Sequence, residues 1–116
     1  DAFNSNPEGA KAALETLGQF PGTRVVITPG MVQLGSSEEE ENTKLGHIIA
    51  QYADIAILVG KKRTAPIREG LIKAGFDEAR IYSASDLNDA TTYMSNIIKP
   101  GDTVLFENDL PDNYNE

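Results

Sequence analysis

Arg24-Val25-Val26-Ile27-Thr28-Pro29-Gly30 is the stretch that decides the fold. Val25-Val26-Ile27-Thr28 are β-branched in succession without the polar alternation of a half-solvated strand, and such a continuous run marks a strand covered on both faces, as in a parallel sheet. Pro29-Gly30 then ends it. Ile55-Ala56-Ile57-Leu58-Val59 repeats the signal and stops at Gly60, and two further short runs, 80–84 and 103–106, follow later.

Helical spacing fills the intervals. Asn6 is suited to cap a helix, Pro7 to open it and Glu8 to face its positive end. Ala10, Ala13, Leu14 and Leu17 then fall on one face of a helix over 7–17, which Gly18 stops. Ser36 or Ser37 caps the next helix, with Leu45, Ile48, Ile49 and Tyr52 on its buried face and an end near Ala53. Thr64 caps a third, carrying Pro66, Ile67, Leu71 and Ile72 and closed by Gly75. Ser85 begins a fourth, with Leu87, Ala90, Tyr93, Met94 and Ile97 spaced for burial. One leading helix, then strand and helix in alternation ending on a strand, specifies right-handed crossovers. The expected fold is α/β and Rossmann-like, a mainly parallel sheet of about four or more strands with helices on both faces.

A length of 116 residues and a hydrophobic content of 40% fit one domain with one core. No apolar run is long enough for a membrane span and no signal peptide opens the chain, so a soluble protein is expected. The absence of cysteine excludes disulfides and thiolate chemistry and is compatible with a cytoplasmic location. A net charge of -8, with ten scattered Lys and Arg, opposes binding to nucleic acid. It also means that a bound nucleotide would need backbone amides, a few local cations or a metal. His47 has no cluster of metal-ligating neighbours in the sequence, and Glu38-Glu39-Glu40-Glu41 suits a solvated helix start better than a magnesium site. No protein metal site is expected.

Two stretches carry candidate binding chemistry. Asp1-Ala2-Phe3-Asn4-Ser5-Asn6 precedes the first helix, and the carboxylate of Asp1 and amide of Asn4 are not needed to start that helix. They serve either a turn or a ligand. Gly60-Lys61-Lys62-Arg63 follows a strand at its carboxyl end, where open α/β sheets bind ligands, so its three cations are either a solvated turn or contacts for phosphate or carboxylate. Missing are the Gly-x-x-x-x-Gly-Lys-(Ser/Thr) phosphate loop, the Gly-x-Ser-x-Gly elbow and any Cys-His pair. The first strand ends in Thr-Pro-Gly rather than in the acids of a phospho-receiver domain.

Asp1-Ala2-Phe3-Asn4-Ser5-Asn6-Pro7 resembles the Asp-x-(Tyr/Phe)-Asn-(Ala/Ser)-Asn-Pro segment that opens the C-terminal domain of Mur ligases. Thr28-Pro29-Gly30-Met31-Val32-Gln33-Leu34-Gly35, Ile57-Leu58-Val59-Gly60 and Leu105-Phe106-Glu107-Asn108-Asp109-Leu110-Pro111-Asp112 agree in order and spacing. The likeness covers nearly the whole chain and is nearest to the version that adds D-alanyl-D-alanine.

The resemblance implies an ATP-dependent, ADP-forming amide ligase. ATP, with Mg2+, activates the carboxylate of a UDP-muramoyl peptide in peptidoglycan precursor synthesis, and an amine such as that of D-alanyl-D-alanine displaces phosphate. It implies that Asp1 accepts from the ribose hydroxyls, that Asn4 lies near the adenine, and that Asn6 caps the helix and holds this nucleotide segment. It further implies upstream ligase domains of the same chain. Residues 1–116 would then be one domain cut at or inside its boundary, with the phosphate loop elsewhere and no catalytic residue of its own. A basic Lys-Gly-Ser-Arg segment common in the family is replaced here by Glu107-Asn108-Asp109-Leu110-Pro111-Asp112, as in a branch from Gram-positive bacteria, which leaves the incoming amine open. Lys61, Lys62 and Arg63 are candidates for its carboxylate; Glu107, Asn108 and Asp109 are candidates for its amine. The change at Asn42-Thr43-Lys44, where many relatives carry histidine, is taken as local. The alternative is a non-catalytic α/β binding or interaction domain that shares the scaffold alone.

Overall fold

The computed structural model describes residues 6–32 and 35–107. Four helices, α1 (Pro7–Leu17), α2 (Glu38–Tyr52), α3 (Ala65–Lys73) and α4 (Leu87–Ile97), alternate with four strands, β1 (Arg24–Thr28), β2 (Ile55–Val59), β3 (Ile81–Ala84) and β4 (Thr103–Phe106). Every strand pair is parallel, in the order β3-β2-β1-β4. The chain steps from β1 outward to β3 and then returns across the sheet to β4. The expected Rossmann-like α/β architecture is therefore present, with helices on both faces.

Alternation along each strand separates two cores. Val26, Ala56, Leu58 and Ile81 pack with Leu14, Leu45, Ile49, Ile67 and Leu71 from α1, α2 and α3. Val25, Ile27, Ile57, Val59 and Ala84 pack against α4 through Ala90, with Tyr93, Met94 and Ile97 half-buried around it. The central strands β1 and β2 are buried on both faces, as their unbroken apolar sequences require. Each fully buried Leu or Ile contributes about 1.5–3 kcal/mol, so most of the stability resides on the three-helix face.

α2 and α3 cross in unusually close backbone contact. A Cβ on Gly46 would strike the Ile67 carbonyl oxygen, and one on Gly70 would strike the Thr43 carbonyl oxygen. At the opposite end of the sheet, Arg24 donates its Nε to Asp54 at 3.1 Å and its Nη1 to the Gly18 carbonyl at 2.9 Å, fastening the end of α1 to the starts of β1 and β2. The Asp54 carboxyl is held below its ordinary range chiefly by the hydrogen bond from Arg24.

Several local expectations change. Ser37 occupies the N-cap of α2 without a side-chain capping bond, because a 3-10 turn over Gly35–Ser37 leads into the helix. Thr64 precedes α3, but its buried hydroxyl donates to the Gly60 carbonyl at 2.7 Å instead of capping. Asp86, not Ser85, caps α4, accepting from the Asp89 N–H at 2.7 Å. Arg80 belongs to a 3-10 turn, Glu78–Arg80, so β3 starts one residue later than its sequence suggests. Ile72 and Leu87 are exposed despite their helical spacing, since α3 and α4 each bury a narrow stripe. Leu34 lies outside the described residues.

Candidate functional site

The parallel sheet sends every strand end to one edge, and the N-termini of the helices meet it there. α1 runs back against the strands: its end at Gly18 is bonded by Arg24 at the start of β1, and its beginning at Pro7 and Glu8 shares a groove with Met31 beyond the end of β1. The Asn6 cap, the loop after β1, residues 60–63 after β2, residues 85–86 after β3 and Glu107 after β4 are thus collected at the carboxyl edge. Strand order reverses beside β1, which feeds α2 on one face while β4 arrives from α4 on the other; such reversals are where open α/β sheets bind ligands.

Asn6 is built into α1. Its Oδ1 accepts from the Glu8 and Gly9 N–H groups, each at 3.1 Å, with backbone φ of -126° and ψ of 102°. The side-chain oxygen satisfies two of the helix's orphan donors, so a nucleotide contact by Asn6 would have to use the amide nitrogen. Asp1 and Asn4 lie outside the described residues, as do Asn108 and Asp109.

The loop after β1 is shaped by buried polar groups. Thr28, fully buried, accepts from the Gly30 N–H at 2.9 Å, and Gly30 takes a φ of +85° that a side chain would strain. Asn42 of α2, also buried, accepts from the Met31 N–H and donates to the Met31 carbonyl, both at 2.8 Å, and donates to the Glu38 carbonyl at 3.0 Å. A groove of about 190 Å³ lies between the start of α1 and α2, floored by Met31, Leu45 and Ile48 and rimmed by Lys11 and Lys44. Asn42 is the positioning residue that sequence reading missed. Its signal was a single amide in the second turn of an acidic helix, and nothing in the order of residues showed which peptide it would clamp.

Lys61 and Lys62 are exposed and Arg63 is half-buried in the turn that Thr64 closes onto Gly60. At the start of α4, Asp89 is held below the usual carboxylate range first by the Ser85 N–H at 2.8 Å, then by the Tyr82 hydroxyl at 2.8 Å, with a smaller contribution from the charge of Lys61. The bond to Asp89 and burial raise the Tyr82 hydroxyl in turn, and its ring stacks on Tyr93 at 3.9 Å. Glu107 extends from β4, donates its N–H to the Ile27 carbonyl at 2.9 Å, and has its carboxyl pushed up by burial. β2 and β4 flank β1, so residues 60–63 and Glu107 emerge about 10 Å apart along one edge.

Among the described residues no three His, Cys, Asp or Glu side chains stand together as metal ligands. The Glu38–Glu41 run is a helix start, with Lys44 3.5 Å from both Glu40 and Glu41. His47 is half-buried on α2. No described helix is long and apolar enough to cross a membrane.

The crystal structure of MurF ligase from Thermotoga maritima in complex with ADP is similar to this chain, with a TM-score of 0.72 at 23% identity. The match covers 90% of this chain and 22% of that one, a likeness of fold to a small part of a larger protein. Residues 1–107 match the family described as Mur ligase, glutamate ligase domain. A match over nearly the full length, on the fold just described, shows that the chain belongs to that family.

Proposed function

We propose that this chain is the C-terminal domain of an ATP-dependent, ADP-forming amide ligase that acts on UDP-muramoyl peptides, with D-alanyl-D-alanine as the incoming amine. One observation carries the proposal within the family: the Asn6 helix start, the cationic turn 60–63 and Glu107 all converge on the carboxyl edge of one parallel sheet. Asp1 and Asn4 supply acceptor and amide groups for the ribose and adenine of ATP, and Asn6 caps α1 directly after them in the chain. The ADP bound to the Thermotoga maritima ligase supports a nucleotide for the whole enzyme. Magnesium, bound with ATP, would neutralise the triphosphate. In this reading its ligands come from upstream domains of a longer protein.

At the amine end, Lys61, Lys62 or Arg63 pairs with the substrate carboxylate, while Glu107, Asn108 or Asp109 orients its amine. A charge-assisted pair at each end would fix the dipeptide in line with an acyl group presented from the neighbouring domains. The domain thus binds and positions, and it contributes no nucleophile. The direct test is phosphate release by the full-length protein with a UDP-muramoyl tripeptide and D-alanyl-D-alanine. Turnover that needs both substrates is expected, with residues 1–116 alone inactive. Phosphate release by the isolated chain, or turnover with a different amine alone, would overturn the assignment.

A further inference from the structure

The candidate site occupies the carboxyl edge of the sheet, and the opposite edge holds a second cavity with its own chemistry. About 300 Å³ in volume and open to solvent, it lies between the ends of α2 and α3, beside Asp54 at the start of β2 and Arg80 just before β3. Small residues make the room. Ala50, Ala53 and Ala74 line it with methyl groups, and Gly75, at a φ of +88°, has open space where a Cβ would stand. Phe76, half-buried against the three-helix core, completes the apolar part of the wall.

The charges around the cavity divide into engaged and available groups. Asp54 is engaged by Arg24, whose backbone N–H, Nε and Nη2 reach its carboxylate at 2.8, 3.1 and 3.3 Å. Glu78 turns to Arg68 at 3.7 Å. Among the described residues the exposed Arg80 guanidinium has no ion pair or hydrogen bond, although its charge acts on Asp54. Asp77 accepts the Ala79 N–H at 2.9 Å with Oδ1, which leaves Oδ2 for another donor. Asp77 and Arg80 stand at the two ends of one 3-10 turn, both on the cavity wall, and no ion pair joins them. An available cation and an available carboxylate oxygen on one wall suit a ligand that carries one charge of each sign. The end of α2 adds to the preference for an ammonium: its last turn carries no basic residue, so the negative pole of that helix is uncompensated here.

We infer that this cavity is a second binding site and that it takes a small aliphatic α-amino acid. Arg80 pairs with the carboxylate, Asp77 with the ammonium, and the methyls of Ala50, Ala53 and Ala74 receive the side chain. Neither contact displaces a bond the fold needs, since Asp77 caps through its other oxygen and Arg80 has no partner to give up. Solvent screens both pairs, so affinity in the millimolar range is expected. A bound amino acid would tie the ends of α2 and α3 to the turn before β3 and stabilise the fold by linkage. The site lies at the other end of the strands from the nucleotide and amine groups proposed above and is independent of the ligase reading.

Amide chemical shifts of the chain, followed by NMR during titration with L-valine, test it. Saturable shifts are expected at Gly75, Phe76, Asp77 and Arg80, with residues 60–63 at the carboxyl edge unmoved. Isobutylamine lacks the carboxylate of valine and isovalerate lacks its ammonium, and each should bind about tenfold or more weakly than the zwitterion. Arg80→Ala and Asp77→Asn should weaken valine binding by a similar factor, the second while keeping an acceptor for the Ala79 N–H. The two analogues act on the parent chain, so the answer does not depend on a variant folding. Absence of saturable shifts at this edge with valine at tens of millimolar would overturn the inference. So would isobutylamine or isovalerate binding as tightly as valine, which would reduce the cavity to a simple ion site, or unaltered valine affinity in both variants.

Discussion

Asn42 holds both polar groups of Met31 at once, accepting its N–H and donating to its carbonyl at 2.8 Å each. A side-chain amide can do this because it presents donor and acceptor side by side, imitating a strand neighbour. The consequence is that Met31 is held against α2 at the edge where the candidate site lies. Asn42→Ala would leave both Met31 groups buried without partners, at a cost of about 2–4 kcal/mol. A drop in Tm of roughly 10 °C is expected for a domain of this size. An unchanged Tm would mean that water replaces the amide and that the loop is not held by Asn42.

The glycines of α2 and α3 give a prediction whose sign opposes helix propensity. Gly70→Ala should gain up to about 1 kcal/mol from propensity alone. The added methyl would meet the Thr43 carbonyl, which is backbone and cannot rotate away, so the helices must separate. Overpacking of this kind costs about 1–3 kcal/mol and is expected to win, lowering stability in denaturant titrations. A stabilised Gly70→Ala variant would show that the α2–α3 contact is looser than described.

Two carboxyl groups contribute to the pH dependence in opposite directions. Asp54, held low chiefly by its hydrogen bond from Arg24, contributes stability above its ordinary value of 3.8, and that stability is lost as pH falls through its lower folded value. Glu107, raised by burial from 4.5, has the reverse sign: its contribution is present below 4.5 and is lost as pH rises through the folded value. Asp54→Asn should flatten the acid side of the stability profile, and Glu107→Gln should raise stability on the neutral side. Melts of the three proteins across the acid range, all with the profile of the parent chain, would refute both assignments.

The features legible in the sequence are those set by neighbours along the chain. β1, β2 and α1 have the bounds their apolar runs, cap and proline specify, and Asn6 caps as its position before Pro7 requires. Failures arose where several local solutions compete. Ser85 and Asp86 both suit an N-cap, and the carboxylate took the cap while the Ser85 N–H turned to Asp89. Thr64 had a carbonyl four residues back that outcompeted the helix end. The clamp of Asn42 on Met31 and the contact of Gly46 with α3 depend on partners 11 and more residues away, which periodicity does not encode. The carboxyl-edge position of residues 60–63 was legible from strand and helix alternation. The effect of the Lys61 charge on Asp89 was not.

The segment Asp1–Asn6, proposed to hold the nucleotide, would separate binding from stability. In the full-length protein, Asp1→Ala and Asn4→Ala are each expected to weaken ATP binding by about 1–2 kcal/mol, the loss of one hydrogen bond, with Tm unchanged. Asn6→Ala removes the acceptor of two helix N–H groups and should lower stability by about 1 kcal/mol. ATP titrations paired with melts distinguish the two outcomes. Full ATP affinity in both the Asp1 and Asn4 variants would reduce the segment to a turn.

The cationic turn after β2 is tested by which Michaelis constant moves. Lys61, Lys62 and Arg63 emerge on the same edge as Glu107, one strand apart across β1, so a zwitterionic dipeptide can meet a cation at one end and a carboxylate at the other. The three cations are not equivalent. Lys61 and Lys62 are exposed and Arg63 is half-buried, and the charge of Lys61 acts on Asp89. In the full-length enzyme, changing each singly to Ala should raise KM for D-alanyl-D-alanine and leave KM for ATP unchanged if that residue holds the carboxylate. Loss of one charge-assisted bond, about 1.5–3 kcal/mol, corresponds to an increase of roughly tenfold to a hundredfold in the amine KM. The smallest change is expected at Lys61, whose charge is shared with Asp89. Three variants with unaltered amine KM would remove the turn from substrate binding, and a parallel rise in the ATP KM would assign its charge to the nucleotide phosphates instead.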